Sequence, residues 1–193
     1  MTAPQLSGKH FPRKKTQSDQ STFDDIIGGN SIREKMQPVI DYLANYNAAG
    51  TSPGNTLAQG PTGTGKSLSL KCLEAETGAN SEIVEPSDWL LTYCKEGTTA
   101  RQQLDDTIER AAQNAPSIFV ISDIGRFNTD NAEYLINQAR SKPGVVVYAM
   151  HDPVVTVAPT TRSLFENTVE FDLPDEAQRR TYLEEVLSEE RSA

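Results

Sequence analysis

Apolar residues follow two alternating spacings along this chain from residue 22 onward. Segments with an apolar residue at every third or fourth position, such as the one containing Ile32, Met36 and Leu43, predict amphipathic helices. Short, continuous apolar runs lie between them, as in 117–121, and are typical of strands buried on both faces. Because the two kinds of segment alternate, we predict an α/β fold, a three-layer sandwich around a parallel five-stranded sheet.

The spacing and the turn residues also set approximate boundaries. Asn30 and Ser31 are good N-caps for the first helix, which Pro38 is expected to kink or delay. The other predicted helices are 66–76, one within 99–114, one around 135–139 and 175–187. The predicted strands are 56–59, 82–85, 117–121, 145–149 and a last strand near 169–171.

Composition narrows the function classes. The 193 residues suffice for one domain with tails, and 18 basic against 27 acidic residues give a net charge of -9. Such an acidic chain is not a general nucleic-acid binder. Four cations against Asp19 make the first 20 residues basic by three charges (4 minus 1). We therefore expect a disordered basic tail over 1–21, where alone a nucleic acid could dock.

The expected cellular compartment is inferred from the lack of membrane-spanning and signal segments in this sequence. No apolar run approaches the roughly 20 residues of a membrane-spanning helix, and the first 15 residues contain no apolar signal core. Cys72 and Cys94 are too few for a disulfide framework and are expected to be reduced thiols. We expect a cytoplasmic protein without a membrane span.

A glycine-rich segment, GPTGTGKS at 60–67, matches the phosphate-binding loop pattern G-x-x-x-x-G-K-[ST]. A predicted strand precedes it and a predicted helix follows, which is the context the motif needs. Its glycines allow backbone N–H groups to turn toward phosphates, Lys66 supplies a cation, and the Ser67 hydroxyl is a Mg²⁺ ligand. The candidate nucleotide-binding residues here are Gly60, Pro61, Thr62, Gly63, Thr64, Gly65, Lys66, Ser67 and Leu68.

Three further segments accompany this loop in a recognisable order: FDDIIGG at 23–29, NAPSIFVISDI at 114–124 and LPDEAQRRTYLEEVL at 173–187. Together they resemble the AAA ATPases, in particular the group with proteasomal ATPases, membrane-bound AAA proteases and Cdc48-like unfoldases. The resemblance implies binding of ATP or ADP with Mg²⁺, adenine contacts from Ile27 and Gly28, and partners that are proteins or homologous AAA subunits.

The resemblance also implies a domain layout. Residues 22–173 would form the nucleotide-binding α/β domain, and 174–193 the first helix of a truncated helical lid. The phosphate-loop strand would be central and adjacent to the Walker B strand, which carries the catalytic acids. The segment 89–97 falls where unfoldases carry an aromatic pore loop, with Tyr93 as its aromatic residue. An ordinary core helix face is the alternative for that segment.

The chain departs from the family where hydrolysis is performed. The two Walker B acids align with Ser122 and Asp123, so Asp123 alone is left as catalytic acid and metal-associated carboxylate. His151 occupies the position of the polar sensor, for which a structural histidine is the alternative. Of the arginine-finger motif only a displaced Arg162 remains.

These departures favour an ATP-binding module that is a slow or inactive ATPase in a protein-remodelling or scaffolding assembly. Self-association would then be weak or nucleotide-dependent. One alternative is an active AAA ATPase subunit that uses Asp123 as its single acid. A P-loop kinase or a helicase-loader-like ATPase is a second alternative, but it leaves the FDDIIGG and LPDEAQRR segments unexplained.

Overall fold

The structure, a computed structural model, describes residues 21–46, 51–87 and 100–192. The helices are α1 (Gly29–Ala44), α2 (Lys66–Thr77), α3 (Ala100–Gln113), α4 (Thr129–Arg140), α5 (Pro159–Arg162) and α6 (Glu176–Ser192). The strands are β1 (Thr56–Gln59), β2 (Asn80–Val84), β3 (Ser117–Ile121), β4 (Val145–His151) and β5 (Asn167–Glu170). Short 3₁₀ turns cover Phe23–Asp25 and Ile124–Arg126. The segment 89–97 lies outside the described residues, as does nearly all of the expected tail.

All neighbouring strands pair in parallel, in the order β2-β3-β4-β1-β5. The predicted α/β sandwich with a five-stranded parallel sheet is confirmed. The expectation that the phosphate-loop strand would be central and adjacent to the Walker B strand is wrong, because β4 is central and separates β1 from β3. The burial of β4 agrees with its central position, since six of its seven residues are buried.

Two apolar layers cover the faces of the sheet, and alternate residues of each strand enter opposite layers. In β3, Ile118 and Val120 point into the layer that includes α1 and α2. Phe119 and Ile121 point into the layer that includes α3 and α4. Both faces of the strand are therefore buried, which is why its sequence is a continuous apolar run rather than an alternating one.

The N-terminus of α1 differs from its prediction. The helix begins at Gly29 and is capped by Gly28, whose φ is 76°, so Asn30 and Ser31 lie inside the first turn rather than at the cap. A side chain at Gly29 would overlap the Phe23 carbonyl oxygen, because its Cβ would lie 1.6 Å away. The preceding 3₁₀ turn thus needs two glycines to pass directly into the helix, which continues through Pro38 to Ala44.

Elsewhere the predicted boundaries of the elements are close to those observed. β1 and β3 begin and end where predicted, and α2 is capped at its C-terminus by Gly78 in the left-handed conformation (φ 71°). β2 begins two residues earlier than expected because the chain enters the sheet directly after that turn. Among the described helices, none is both long enough and apolar enough to cross a bilayer.

Candidate functional site

The glycine-rich loop connects the end of β1 to the start of α2, where Gly65 caps the helix with a φ of 104°. Gly63 also has a positive φ, 87°. Gly60 lies against β5: a Cβ there would be 2.1 Å from the Phe171 carbonyl oxygen. The Gly60 amide donates to the carbonyl of His151 on β4 over 3.1 Å. The loop is therefore held by backbone contacts on both sides, with the N-terminus of α2 open beyond it.

Lys66, the first residue of α2, turns its ammonium back toward the loop. Its Nζ donates to the carbonyls of Gly60 and Pro61, the latter over 2.7 Å. Burial lowers the pKa of Lys66, while Asp152 and Asp123 act in the opposite direction. The Thr64 hydroxyl also donates to the Pro61 carbonyl, over 2.8 Å. This lysine and the folded loop make a compact cationic concavity of the kind that cradles phosphates.

A cleft of about 560 Å³ lies between this loop and the carboxyl ends of β3 and β4. Ligands of open parallel sheets bind at this edge. Its walls combine loop residues with residues that follow the two strands. The lining residues are Thr62, Gly63, Gly65, Lys66, Ser67, Leu68, Ser122, Asp123, Arg126, Met150, His151, Asp152, Val154 and Val155.

Asp123 stands at the end of β3 in an unusual conformation. Its φ is 53°, and within the described ranges no other residue except glycine has a positive φ. Carboxylate oxygen Oδ2 contacts Nε of Arg126 at 2.5 Å, whereas Oδ1 is buried without a hydrogen-bond partner. Uncommon backbone conformations and unsatisfied buried acceptors concentrate at functional sites, so both features favour a role for this carboxylate in the cleft.

His151, the last residue of β4, is buried with only 1% of its surface exposed. Its Nδ1 has no hydrogen-bond partner and lies near Gly125, where an added Cβ would be 3.3 Å away. Burial, followed by the charge of Arg162, lowers the pKa of His151, although Asp123 and Asp152 partly offset this. A neutral imidazole is therefore favoured, which can donate or accept a hydrogen bond inside the cleft.

Two hydroxyls complete the polar lining. Ser67 Oγ lies 3.6 Å from the Met150 sulfur. Thr62 Oγ1 donates to Asp152 Oδ2 over 2.8 Å, which ties the loop to the residue after β4. The backbone N–H of Val154 and the Thr62 hydroxyl hold the pKa of Asp152 below its ordinary value. Asp152 is therefore a carboxylate at neutral pH, at the mouth of a cleft that also contains Lys66.

These residues fit a magnesium ion. Mg²⁺ is usually held by one or two protein oxygens, with phosphates and waters filling its octahedron. Ser67 offers a hydroxyl and Asp123 offers a carboxylate, and both residues line the cleft. Within the described ranges, no group of three or more His, Cys, Asp and Glu side chains could form an all-protein metal cage. A site of this kind needs the phosphates of a nucleotide to complete it.

A second cavity, of about 340 Å³, lies between the FDDIIGG segment and α6. Ile26, Ile27 and Gly28 line one side of it, and Ala177 and Tyr182 belong to the other. The Ile26 side chain also reaches Gly65, where an added Cβ would lie 3.0 Å from its Cγ2. The second cavity therefore adjoins the start of α2, next to the phosphate loop.

The structure thus distributes the candidate residues over two cavities. Eight of them line the main cleft, whereas Ile27 and Gly28 line the second cavity, and Gly60, Pro61 and Thr64 support the loop from within. The displaced Arg162 lies on α5 and does not line the cleft.

Two charged residues that were not predicted from the sequence, Arg126 and Asp152, also line the cleft. Arg126 follows Asp123 by three positions, and Asp152 follows His151 by one. Their closeness to the ends of two predicted strands could have identified them as residues of the cleft.

Comparison with known proteins agrees with this geometry. Residues 56–182 match the family described as "ATPase family associated with various cellular activities (AAA)". A 26S proteasome regulatory subunit homolog of Methanocaldococcus jannaschii is 27% identical over 191 residues, covering 90% of this chain and 51% of that protein. An ATP-dependent zinc metalloprotease FtsH of Hahella chejuensis is 27% identical over 188 residues, covering 84% of this chain and 30% of the relative.

A second metalloprotease, FtsH 2 of Sphaerobacter thermophilus, is 30% identical over 185 residues, covering 84% of this chain and 28% of the relative. The chain therefore spans about half or less of the length of these curated relatives. The family match covers more than half of the chain, including the phosphate loop and the ends of β3 and β4. The phosphate loop, the two strand ends that it faces and the order of the parallel sheet agree with this match. The chain belongs to the AAA family of ATPases.

Proposed function

We propose that the chain binds ATP and ADP together with Mg²⁺ in the main cleft and hydrolyses ATP slowly or not at all. In this proposal it serves as a nucleotide-dependent subunit of a protein-remodelling or scaffolding assembly. One observation carries the binding: Lys66, Ser67, Asp123 and His151 line a single cleft at the open N-terminus of α2. Lys66 is suited to bind phosphate, Ser67 and Asp123 to bind a metal ion, and His151 to hydrogen-bond a water.

The proposed roles follow from the contacts of each group. Lys66 and the backbone N–H groups of the loop bind the β- and γ-phosphates, and Ser67 binds the metal. When bound, Mg²⁺ neutralises phosphate charge and orients the terminal phosphate. Asp123 orients water and the metal shell through Oδ1, and His151 hydrogen-bonds water or phosphate through Nδ1.

Slow hydrolysis is expected from the side of the cleft formed by the ends of β3 and β4. Phosphoryl transfer depends on positioning and charge, and a positioned base contributes about 10²–10⁴ in rate. Ser122 contributes no carboxylate, and one oxygen of Asp123 is already paired with Arg126. Of the finger motif, which in the family reaches the nucleotide of a neighbouring subunit, only the displaced Arg162 remains.

The adenine is proposed to occupy the second cavity. Ile26 and Ile27 present apolar surface suited to a base, and the contact between Ile26 and the Gly65 position joins this cavity to the loop. Residues 22–173 would then be the nucleotide-binding domain, with α6, within 174–193, contributing a lid-like wall through Tyr182 and Gln178.

The assembly role is supported by the surface of α6. Tyr182, Leu183 and Leu187 are about half exposed, which is unusual for large apolar side chains grouped on one helix. We expect protein partners or other AAA subunits, with weak self-association that ATP strengthens. Light scattering with and without ATP tests this, and a stable hexamer in the absence of nucleotide would contradict it.

A second candidate function, an active ATPase with Asp123 as its only acid, is favoured by one observation. Asp123 lines the cleft, and its buried Oδ1 atom has no hydrogen-bond partner, so one carboxylate oxygen is left unpaired. The two candidates differ in turnover rather than in binding. In the active case, hydrolysis would be brisk and Asp123→Asn would abolish it while leaving ATP bound.

The decisive experiment measures binding and turnover side by side on the purified full chain. Calorimetry with ATP and ADP in Mg²⁺ is compared for the parent, Lys66→Ala and Lys71→Ala. Lys71 is an exposed lysine on the same helix, so it controls for charge and helix propensity. We expect Lys66→Ala alone to weaken ATP binding by about 10²-fold or more. Equal binding by all three proteins would overturn the site.

A further inference from the structure

A second cation in the main cleft, Arg126, has no role in the family pattern stated above. It ends the 3₁₀ turn that follows β3, and its side chain lines the same cleft as Lys66 and Ser67. Resting on the proposed function, we infer that Arg126 binds the terminal phosphate of the nucleoside triphosphate bound by its own chain. In this role it would distinguish ATP from ADP.

The backbone at Arg126 is held in place at the edge of the cleft. Its backbone N–H donates to the Asp123 carbonyl over 3.0 Å. Ile124 and Phe127, on either side, are buried with 1% and 9% of their surfaces exposed. The turn is thereby anchored in the core while its arginine side chain remains 67% exposed. Such an arrangement fixes the base of the side chain and leaves its head group accessible at the cleft.

The guanidinium is also oriented. Its Nε contacts Asp123 Oδ2 at 2.5 Å, and in the described part of the chain its two terminal nitrogens have no partner. A guanidinium presents five N–H donors in a rigid fork, so Nε can stay on the carboxylate while the terminal nitrogens bind phosphate oxygens. Asp123 then acts on Arg126 as a positioning residue, in addition to any role toward water.

The charges of the cleft require such a cation. The charged lining residues are Lys66 and Arg126 against Asp123 and Asp152, which sum to zero with His151 neutral. Without Arg126 the sum is negative, in a chain whose net charge is already -9. The terminal phosphate would then meet the unpaired charge of Asp123, because both belong at the β3 side of the cleft. Pairing with Arg126 removes that repulsion.

The alternative is an ordinary exposed ion pair between positions three apart, which contributes almost nothing to stability or binding. The chain offers a matched control. Arg110 also places its Nε on a carboxylate, Oε2 of Glu82, at 3.3 Å, and its side chain is 53% exposed. That pair lies on α3 and β2, away from the cleft lining. Replacement of Arg110 therefore removes a similar ion pair, together with its hydrogen bond to Thr107 Oγ1, without touching the site.

The test measures Kd for ATP and for ADP in Mg²⁺ by calorimetry on the full chain and on R126A, R126K and R110A. We expect R126A to weaken ATP binding roughly tenfold, as befits one partly exposed charged hydrogen bond, and ADP binding less than about twofold. R126K keeps the charge without the fork and should fall between R126A and the parent. R110A should match the parent for both nucleotides.

The outcomes separate the two hypotheses. A parent that binds neither nucleotide overturns the proposed function and this inference together. If the parent binds both but R126A weakens them equally, or leaves ATP binding as tight as in R110A, the inference falls and the proposed function stands. Thermal unfolding of each variant is measured in parallel. If R126A were destabilised, R126K would provide the same ATP-to-ADP comparison in a folded protein.

Discussion

The two walls of the cleft are built by different means. The phosphate-loop wall is made largely of backbone: glycines with positive φ, an amide of Gly60 bonded across to β4, and the open end of α2. The opposite wall is made of side chains that project from the ends of β3 and β4, chiefly Asp123, Arg126 and His151. In the proposed function, the first wall binds most of the phosphate chain, and the second wall carries the groups that would take part in hydrolysis.

The contrast between a backbone-built wall and a side-chain-built wall indicates which positions can change without loss of the fold. A backbone-built wall tolerates few replacements, because each glycine is there for a conformation or a close approach. A side-chain wall keeps its backbone when Ser122 stands in place of a carboxylate, since Ser122 still donates its amide to the Val84 carbonyl over 2.9 Å. The chain can therefore retain nucleotide binding while its hydrolytic groups change.

The largest effect is expected from rebuilding the side-chain wall. The double change Ser122→Asp with Asp123→Glu restores two carboxylates at the end of β3 and should raise ATP turnover by about 10²-fold. Phosphate release at saturating ATP measures it, with Lys66→Ala added to the same variant as the control that should abolish the gain. An unchanged rate would show that the second wall does not limit hydrolysis.

The backbone wall is tested by a pair of glycine replacements. Gly60→Ala places a Cβ within 2.1 Å of the Phe171 carbonyl oxygen, so we expect a loss of about 2–4 kcal/mol in the free energy of unfolding. Gly63→Ala meets no atom within 4 Å, and only its φ of 87° is unfavourable, so it should cost about 1 kcal/mol. Urea unfolding compares them. Equal losses would argue against the close contact.

A smaller effect is expected at the junction of the two walls. Tyr148 on β4 is buried, and its hydroxyl lies 2.8 Å from Ser69 Oγ and donates to the Lys66 carbonyl over 3.2 Å. Tyr148→Phe leaves the Ser69 hydroxyl with its bond to Lys66, so the expected loss of stability is about 1 kcal/mol. Tyr182→Phe, at an exposed tyrosine, is the control in the same unfolding assay. A Tyr148 variant as stable as this control would contradict the contact.

The smallest effect concerns pH. Because burial lowers the pKa of His151 in the folded protein, the unfolded chain takes up that proton more readily. The resulting stability is present above the ordinary histidine pKa of about 6.5 and is lost as the pH falls through the folded-state pKa. Unfolding free energies at pH 7.5 and pH 5.5 should therefore differ less for His151→Gln than for the parent. Identical differences would remove His151 as a source of acid sensitivity.

The elements of the fold were largely predictable because they depend on local patterns. β3 and α2 were identified from a buried apolar run and from the loop-helix motif, and both agree with the structure. The cap at Gly28 was missed because Asn30 and Ser31 are better caps in isolation. Only the overlap of a side chain at Gly29 with the preceding turn, a contact between segments, decides the outcome.

The site was predictable in its motif and less so in its surroundings. Lys66 and Ser67 follow from the phosphate-loop pattern alone, and Asp123 and His151 were proposed from their alignment with the family. The order of the strands could not be read from the chain, since sequence separation does not fix which parallel strands pair. Arg126 was missed for a related reason: its position in the cleft depends on the left-handed turn at Asp123.

The position of β4 between β1 and β3 fixes the distance between the phosphate loop and Asp123. Neighbouring strands lie about 4.8 Å apart, so the loop on β1 and the acid on β3 are separated by two spacings, roughly 9.6 Å. The backbone bond from Gly60 to His151 and the pairing of Ile121 with Ala149 hold that width. A short phosphate chain anchored at Lys66 would reach only part of the way, and a longer one would bridge both strands. In the proposed ATP complex, the strand spacing would therefore set the length of polyphosphate that spans the cleft.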